Sequence, residues 1–503
     1  MFDDYFGFAI DGEWIVVNPS YVNSMATTVD VPEGWHRFTI VCGDTGGGYG
    51  ATGTSSVVVN GVHAPMSISW GGAAVTFTDG NFTFGSDGNT VVLSADCDWS
   101  ALGNVLIANG ATIDLNGHDL TLASVSADAL GAAITNSNSA VTSTVTFVAG
   151  EGMAVTNSGA AICGNVKVVK KGLGAYVSLS GASTHTGGTF IDEGTARFGA
   201  SGSVFGPNGS DVNVASGAAI DANDKDVNAH CIVLEGGTLL NAIGPGVSAV
   251  NHTIGNLRLT ADSEFVFDAT NTQQHDWLVA DNAVWDLGGH VLTVRYAGND
   301  PDVYYVSGGN NSATSGKLTI INGTVTTVAT SDSKGWWHDT RTDGLSGGSY
   351  DFSTPLRHYG ESTVSNLTFR MNSSSVKGSG TYNVYGTFTP LSQYGHNVKM
   401  LDGSTIDLSS KTGTWSTSFT STCAVTFNAA ANVTVNLAGR EGLPAFAHER
   451  GLVMTWTAEK APAANVTFEV DAATWRAGFK LVRDDEANGL RLVHKPGLII
   501  LVE

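Results

Sequence analysis

Few residues in this chain are of a type and spacing that could do chemistry. The densest run of carboxylates is Asp221, Asp224 and Asp226, in Asp-Ala-Asn-Asp-Lys-Asp. Cleaving a glycosidic bond needs one carboxyl as proton donor and a second, at a set separation, as base or nucleophile. These three stand in a polar turn, which Asp favours because its side chain hydrogen-bonds its own backbone. Turn formation is the reading adopted for them. An aromatic cluster, Trp336, Trp337, His338 and Tyr350, is the other candidate. Aromatic rings stack on the faces of sugars, so Trp336, Trp337 and Tyr350 could form a ligand-binding platform. Packing over the end of a β layer would use the same residues.

Other motif strings fail on context. Gly48-Tyr49-Gly50-Ala51-Thr52-Gly53 has dinucleotide-type glycine spacing, but a strand follows where that motif needs a helix N-terminus. Gly344-Leu345-Ser346-Gly347-Gly348 spells a nucleophile elbow without the flanking strand and helix, which predicts a loop. The 13 histidines include no pair at ligand spacing with a third donor nearby. His118 and His290 each follow a turn, which predicts stacking or solvent exposure. Five cysteines, at 42, 97, 163, 231 and 423, form neither a disulfide framework nor a zinc site, and read as small buried hydrophobes. No catalytic residue and no cofactor emerges, and the chain reads as a non-enzyme.

Composition narrows the partners. Lys and Arg total 24 against 46 Asp and Glu, a net charge of −22 over 503 residues. That balance repels nucleic acid and anionic membranes. The longest apolar run, Leu498 to Val502, is far too short to span a bilayer, so no membrane insertion is expected. With 63 Gly, 11 Pro, 42% hydrophobic and 14% charged residues, the chain reads as turn-rich β structure rather than disorder.

The elements that must position any site are short strands. Tyr176–Leu179, Thr189–Ile191, Thr195–Phe198, Val212–Val214 and Ala219–Asp221 alternate apolar with polar and are cut by Gly-containing turns. Strands this short and this regularly spaced fit a chain winding into stacked β layers. Gly110 to His118, Trp285 to His290 and Gly403 to Leu408 share one pattern. Two inward apolar residues flank an Asp expected to face out, and Asn-Gly or Gly-Gly follows at a corner. At roughly 20 to 25 residues a turn, the chain predicts on the order of 15 layers in a rod about 70 Å long. Between about 330 and 360 the pattern breaks, predicting a projecting loop or an irregular layer. Asp471 to Gly478 is the nearest approach to a helix.

Residues 172–221 carry a more specific signal. Gly172, Gly174 and Leu179 lead to Ser180-Gly181-Ala182, then Thr184-His185-Thr186-Gly187-Gly188-Thr189, Glu193-Gly194-Thr195 and Ser216-Gly217-Ala218. This order resembles the autotransporter-associated β-helix repeat of passenger domains. Near the N-terminus, the Asp11-Gly12 hairpin and the later Pro32-Glu33-Gly34-Trp35-His36 strand resemble the second half of a protective-antigen-type β-sandwich. That second resemblance implies that Asp3 and Asp4 could hold calcium bridging to carbohydrate hydroxyls, since hard oxygen ligands suit that ion.

The expectation is an all-β chain. A right-handed parallel β-helix occupies 68–440, a partial β-sandwich 1–67 and a small β cap 441–503. Its expected role is that of a non-catalytic extracellular or cell-surface stalk, adhesin-like, displaying or exporting surface modules as a monomer. Carbohydrate binding by the N-terminal sandwich or the Trp336 region is the alternative, and a polysaccharide lyase or hydrolase the third. Surface glycans or other cell-surface proteins would be its partners. Met1 to Tyr5 is acidic and lacks the basic and apolar regions read by export machinery, so an export signal is expected upstream of a fragment.

Overall fold

Runs of three to six residues that alternate apolar with polar, each ended by Gly, Asn or Asp, form strands rather than helices. The chain is accordingly all-β with long parallel sheets. The computed structural model describes residues 90–93, 95–107, 110–127, 131–148, 154–173, 176–243, 251–269, 283–298, 318–329, 345–352, 361–370, 380–391, 396–418 and 423–495, with short strands before and between these stretches. Two compact units divide the chain, Met1–Cys231 and Ile232–Glu503.

In the first unit, Tyr5–Ile10 pairs antiparallel with Glu13–Asn18 and with Phe38–Gly43, as the Asp11-Gly12 turn predicts. Asp3, Asp4 and Pro32 to His36 lie outside the described residues. Met66–Ser69 pairs antiparallel with Thr54–Ser55 and Thr90–Leu93. Parallel pairing among the described strands therefore starts later than Ile68, where Asn81–Phe84 meets Cys97–Ile107 and Thr90–Leu93 meets Thr112–Asp114.

From there residues stack in register. Val91, Ile113, Ile134 and Ile162 form one buried column. Cys97, Leu120, Val145, Val168, Thr189 and Val212 form a second. Trp99, Leu122, Phe147, Lys170, Ile191 and Val214 form a third, beside it on the same face. Burying aliphatic groups at about 25 cal/mol per Å² in columns like these supplies the main stabilisation.

The second unit carries a longer column: Ser263, Leu292, Val325, Tyr350, Leu367, Phe388, Ile406, Val435 and Val470. All are buried. Trp285, between Leu257 and Ile320, is also buried, and its indole N–H donates to the Gly255 carbonyl at 3.2 Å. Within the stretch read as a loop or irregular layer, the described strands join the ladders. Trp336–His338 pairs with Leu356–His358, and Ser349–Phe352 with Thr324–Ala329 and Asn366–Phe369. Contacts between successive turns span from 16 residues (Ser349 to Ser365) to 36 (Asp286 to Asn322). This is wider than the expected period, because both corners and strands vary in length, from the two residues of Leu345–Ser346 to the eleven of Cys97–Ile107.

Thr467–Val470, read from sequence as part of a cap, pairs in parallel with Asn432–Asn436. Phe479–Asp484, Gly489–His494 and Leu452–Thr455 form an antiparallel sheet beyond it. Two short helices interrupt this region, Leu443–His448 and Ala472–Arg476. Asp471 caps the second by accepting the Ala473 and Thr474 amides at 3.0 and 2.9 Å.

Corners overturn one expectation. Ile113 and Leu115 point inward, but the Asp between them does not face out. Asp114 is 8% exposed and Asp221, in a similar corner, 0%, whereas Asp286 and Asp407 of the other two corners are half-buried. Oδ1 of Asp114, Asp221, Asp286 and Asp407 accepts the amide of the residue two positions on, Asn116, Asn223, Gly288 and Ser409, at 3.0, 2.9, 3.1 and 3.0 Å. A corner amide has no ladder partner, so the carboxylate turns back to supply one. Asn116 and Gly117 then take φ of 50° and 91°. At Gly288, with φ of 57°, a Cβ would stand 2.6 Å from the Leu259 carbonyl oxygen, so only glycine fits.

Candidate functional site

Each polar cluster in the described residues was built by the strand register above. Asp221 ends the strand Ala219–Asp221 and lies beside Arg197, whose Nε donates to Oδ2 at 2.8 Å. With Oδ1 bound to the Asn223 amide, both oxygens are engaged and the carboxyl is sealed from solvent. Asp224 occupies the positive-φ corner, at 63°, and the Asp226 amide donates to Ser201 Oγ at 3.1 Å. The Asp221 carboxylate and the backbone of Asp224 and Asp226 thus shape a corner, in line with the turn reading.

Sequence reasoning missed a buried polar network in the first unit. Lys170 stands between Phe147 and Ile191 in an apolar column. Its ammonium donates to the carbonyls of Lys171, Gly172 and Glu193 at 2.8, 2.6 and 3.0 Å, which uses all three donors. Burial lowers its pKa to about 8, opposed by the nearby Glu193 charge. The alternation of Val166-Lys167-Val168-Val169-Lys170 had already placed Lys170 inward.

Nearby, His185 and His230 are 1% and 2% exposed. Thr189 Oγ1 donates to the Phe205 carbonyl at 2.8 Å, so it accepts from His185 Nε2, also at 2.8 Å. The Phe205 amide donates to His230 Nε2 at 3.4 Å, which leaves His230 Nδ1 to donate to Ser210 Oγ at 3.2 Å. The proton positions follow from this network. Burial pushes both rings down to about 4; at His185 the facing His230 adds to the effect. Held by Thr189, Phe205 and Ser210, the two neutral rings serve as hydrogen-bonding struts between turns.

His118 and His290 occupy matching corners in the two units. Each places Nδ1 3.5 Å from an aspartate of the preceding turn, Asp96 and Asp262 respectively, and each is partly exposed. Cys97, Cys163, Cys231 and Cys423 are reduced thiols; Cys97 and Cys423 are buried and the other two half-buried, which limits the buried-hydrophobe reading to the first pair. Burial raises the Cys97 thiol to about 11, with Asp96 adding to the rise.

The aromatic candidates separate. Tyr350 is 1% exposed, at the centre of the long interior column, with its ring 5.5 Å from Phe352. A ring so placed offers no face to a ligand. Trp336 and Trp337 belong to one strand, where consecutive residues lie on opposite faces. Trp337 aligns with Tyr305 and Arg357, and Trp336 with Leu356. Leu345 and Ser346 of the elbow-like string form a short strand, not a loop. At Gly347, which follows with φ of 71°, a Cβ would meet the Ile320 carbonyl at 2.4 Å. Gly347 and Gly348 serve close packing against Ile320.

Among the described residues no group of three His, Cys, Asp or Glu is placed to hold a metal ion, and no helix is long and apolar enough to cross a membrane. Comparison with family models, with curated proteins and with solved structures finds no match to this chain.

Proposed function

We propose that each unit is a right-handed parallel β-helix and that the chain's work is mechanical. It is a non-catalytic, adhesin-like stalk at the cell surface or outside the cell, displaying surface modules or accompanying their export. The observation that carries this reading is the nine-residue interior column from Ser263 to Val470. Stacked turns of this kind add length without adding a new core, which suits a spacer.

The fate of the buried charges supports it as well. Asp114, Lys170 and Asp221 are engaged in corner, carbonyl and ion-pair contacts. Arg440 donates to the Gly413 carbonyl with its guanidinium 4.8 Å over the Phe446 ring. Hydrolysis or lyase chemistry loses its best carboxylate to the Arg197 pair. Glycan binding keeps one support, the register of Trp337.

Antibody labelling of intact producing cells, before and after external protease, tests the reading. Labelling that protease removes is the expected result. Signal that appears only after lysis would overturn it.

A further inference from the structure

We propose that the second unit carries a binding site for one small oxyanion, a carboxylate or a phosphate, built on Arg440 and Lys411 where two successive corners stack. Strands Thr405–Asp407 and Asn432–Asn436 pair in parallel and align Asp407 with Asn436. Lys411 stands four residues after the first of these and Arg440 four after the second. The two corners bend alike: the Lys411 amide donates to the Leu408 carbonyl and the Arg440 amide to the Leu437 carbonyl, both at 3.0 Å. Matching positions on adjacent parallel strands lie about 4.8 Å apart, so the register brings both cations to one edge of the ladder. The Arg440 side chain reaches back to the earlier corner and donates through Nη2 to the Gly413 carbonyl, two residues past Lys411.

Arg440 is 5% exposed. Its guanidinium lies 4.8 Å over the Phe446 ring, and Nη1 is buried without a hydrogen-bond partner among the described residues. Arg197, Arg295, Arg370, Arg483 and Arg491 are all more exposed, and each holds a carboxylate. Among the described residues Arg440 and Lys411 hold none, although Glu441, next in the chain, is exposed beside them. A cation taken out of water without a counter-ion is costly, and an anion supplied from solution removes that cost. Burial holds both cations below their ordinary pKa values, a shift that a bound anion would oppose.

The corners leave room for such an ion. Gly413 takes the guanidinium bond, and Gly439 and Gly442 stand on either side of Arg440 in the chain. All three have positive φ, and a Cβ on any of them would meet nothing within 4 Å. Lys411 is half-buried and Thr412 exposed, so the site borders solvent. Nη1 itself is closed to water, and the ion enters as this glycine-rich corner yields. With Phe446 against the guanidinium and Gly413 on Nη2, Nη1 is the donor left for the ligand. A guanidinium fork suits the paired oxygens of carboxylate or phosphate, and the lysine ammonium adds a point charge. A polymer would have to press its backbone against the corner to reach so enclosed a group, so a free ion fits better.

Titration calorimetry of the full chain with sodium acetate and, separately, inorganic phosphate tests this, with sodium chloride holding the ionic strength constant. Saturable one-to-one binding of either ion is expected, with Kd on the order of 1 mM or tighter, and the ion that binds identifies the oxyanion. Arg440→Lys keeps the charge and loses the fork, whereas Lys411→Gln removes the second charge; each should weaken binding about tenfold. Far-ultraviolet dichroism matching wild type separates loss of binding from loss of fold. Wild-type protein that takes up neither ion, heats equal to a chloride blank, or either folded variant binding like wild type would overturn the proposal. Surface labelling is independent of this outcome: a surface stalk that takes no oxyanion fails here alone.

Discussion

Lys170, His185, Thr189 and His230 in the first unit, and Tyr350 in the second, all place polar atoms inside. In the first unit each named side chain has a partner, three carbonyls for Lys170 and the Thr189–Phe205–His230 relay for the two rings, although His185 Nδ1 has none among the described residues. In the second the Tyr350 hydroxyl has no partner among the described residues, and its ring stacks in a run of aromatics with Phe352, Phe369 and Phe388. The difference lies in what the buried atom replaces. A partnered polar group contributes hydrogen bonds that fix a unique packing, whereas Tyr350 is held for its ring and tolerates a stranded oxygen costing about 1–3 kcal/mol.

Acid is the sharpest way to break that contrast. His185 and His230 have folded pKa values near 4 against 6.5 for an ordinary histidine. Depressed values mean the unfolded chain binds more protons between those limits. Their contribution is therefore complete above pH 6.5 and declines as pH falls towards 4, by up to about 3 kcal/mol for each ring. Urea unfolding of the first unit, followed at pH 7 and pH 4.5, should show the loss. His185→Asn should flatten the slope, and an unchanged slope would remove His185 from the account.

Next in size is Asp221→Ala, which strands the Arg197 guanidinium and the Asn223 amide. About 3 kcal/mol of destabilisation is expected, at the lower end for a broken buried pair because Arg197 still reaches water. Thermal unfolding beside the wild-type chain measures it. Thr189→Val preserves volume but leaves the His185 N–H and the Phe205 carbonyl unpaired, for a cost of about 1–2 kcal/mol. Tyr350→Phe is the matching change in the second unit and should move the other way, neutral or more stable by up to about 1 kcal/mol. If Thr189→Val and Tyr350→Phe shifted stability in the same direction, the contrast between the two interiors would fail.

Much of this was legible in the residues. Alternation identifies the strands, and the inward Ile and Leu of each corner follow from it. The outward Asp does not, because a period of two counts only strand positions and ignores the amide that the corner leaves unpaired. Tyr350 was readable in principle, since Ser349-Tyr350-Asp351-Phe352 alternates like any strand. Gly347-Gly348 before it and the polar stretch after it disguised it as loop. The alignment of Tyr305, Trp337 and Arg357 could not be read. Register across turns depends on how many residues each corner consumes, and that number varies too widely to count forward.

Asp114, Asp286 and Asp407 each close their own corner and also accept a hydrogen bond from the turn that follows, at Ser137, Asn322 and Asn436. A bend held this way is tied to its neighbour, so extra peptide entering after Gly117 or Gly289 has to keep the amide bonds those glycines make to Asn136 and Asn322. Such a scaffold can acquire new decorations at its edges while its framework stays the same.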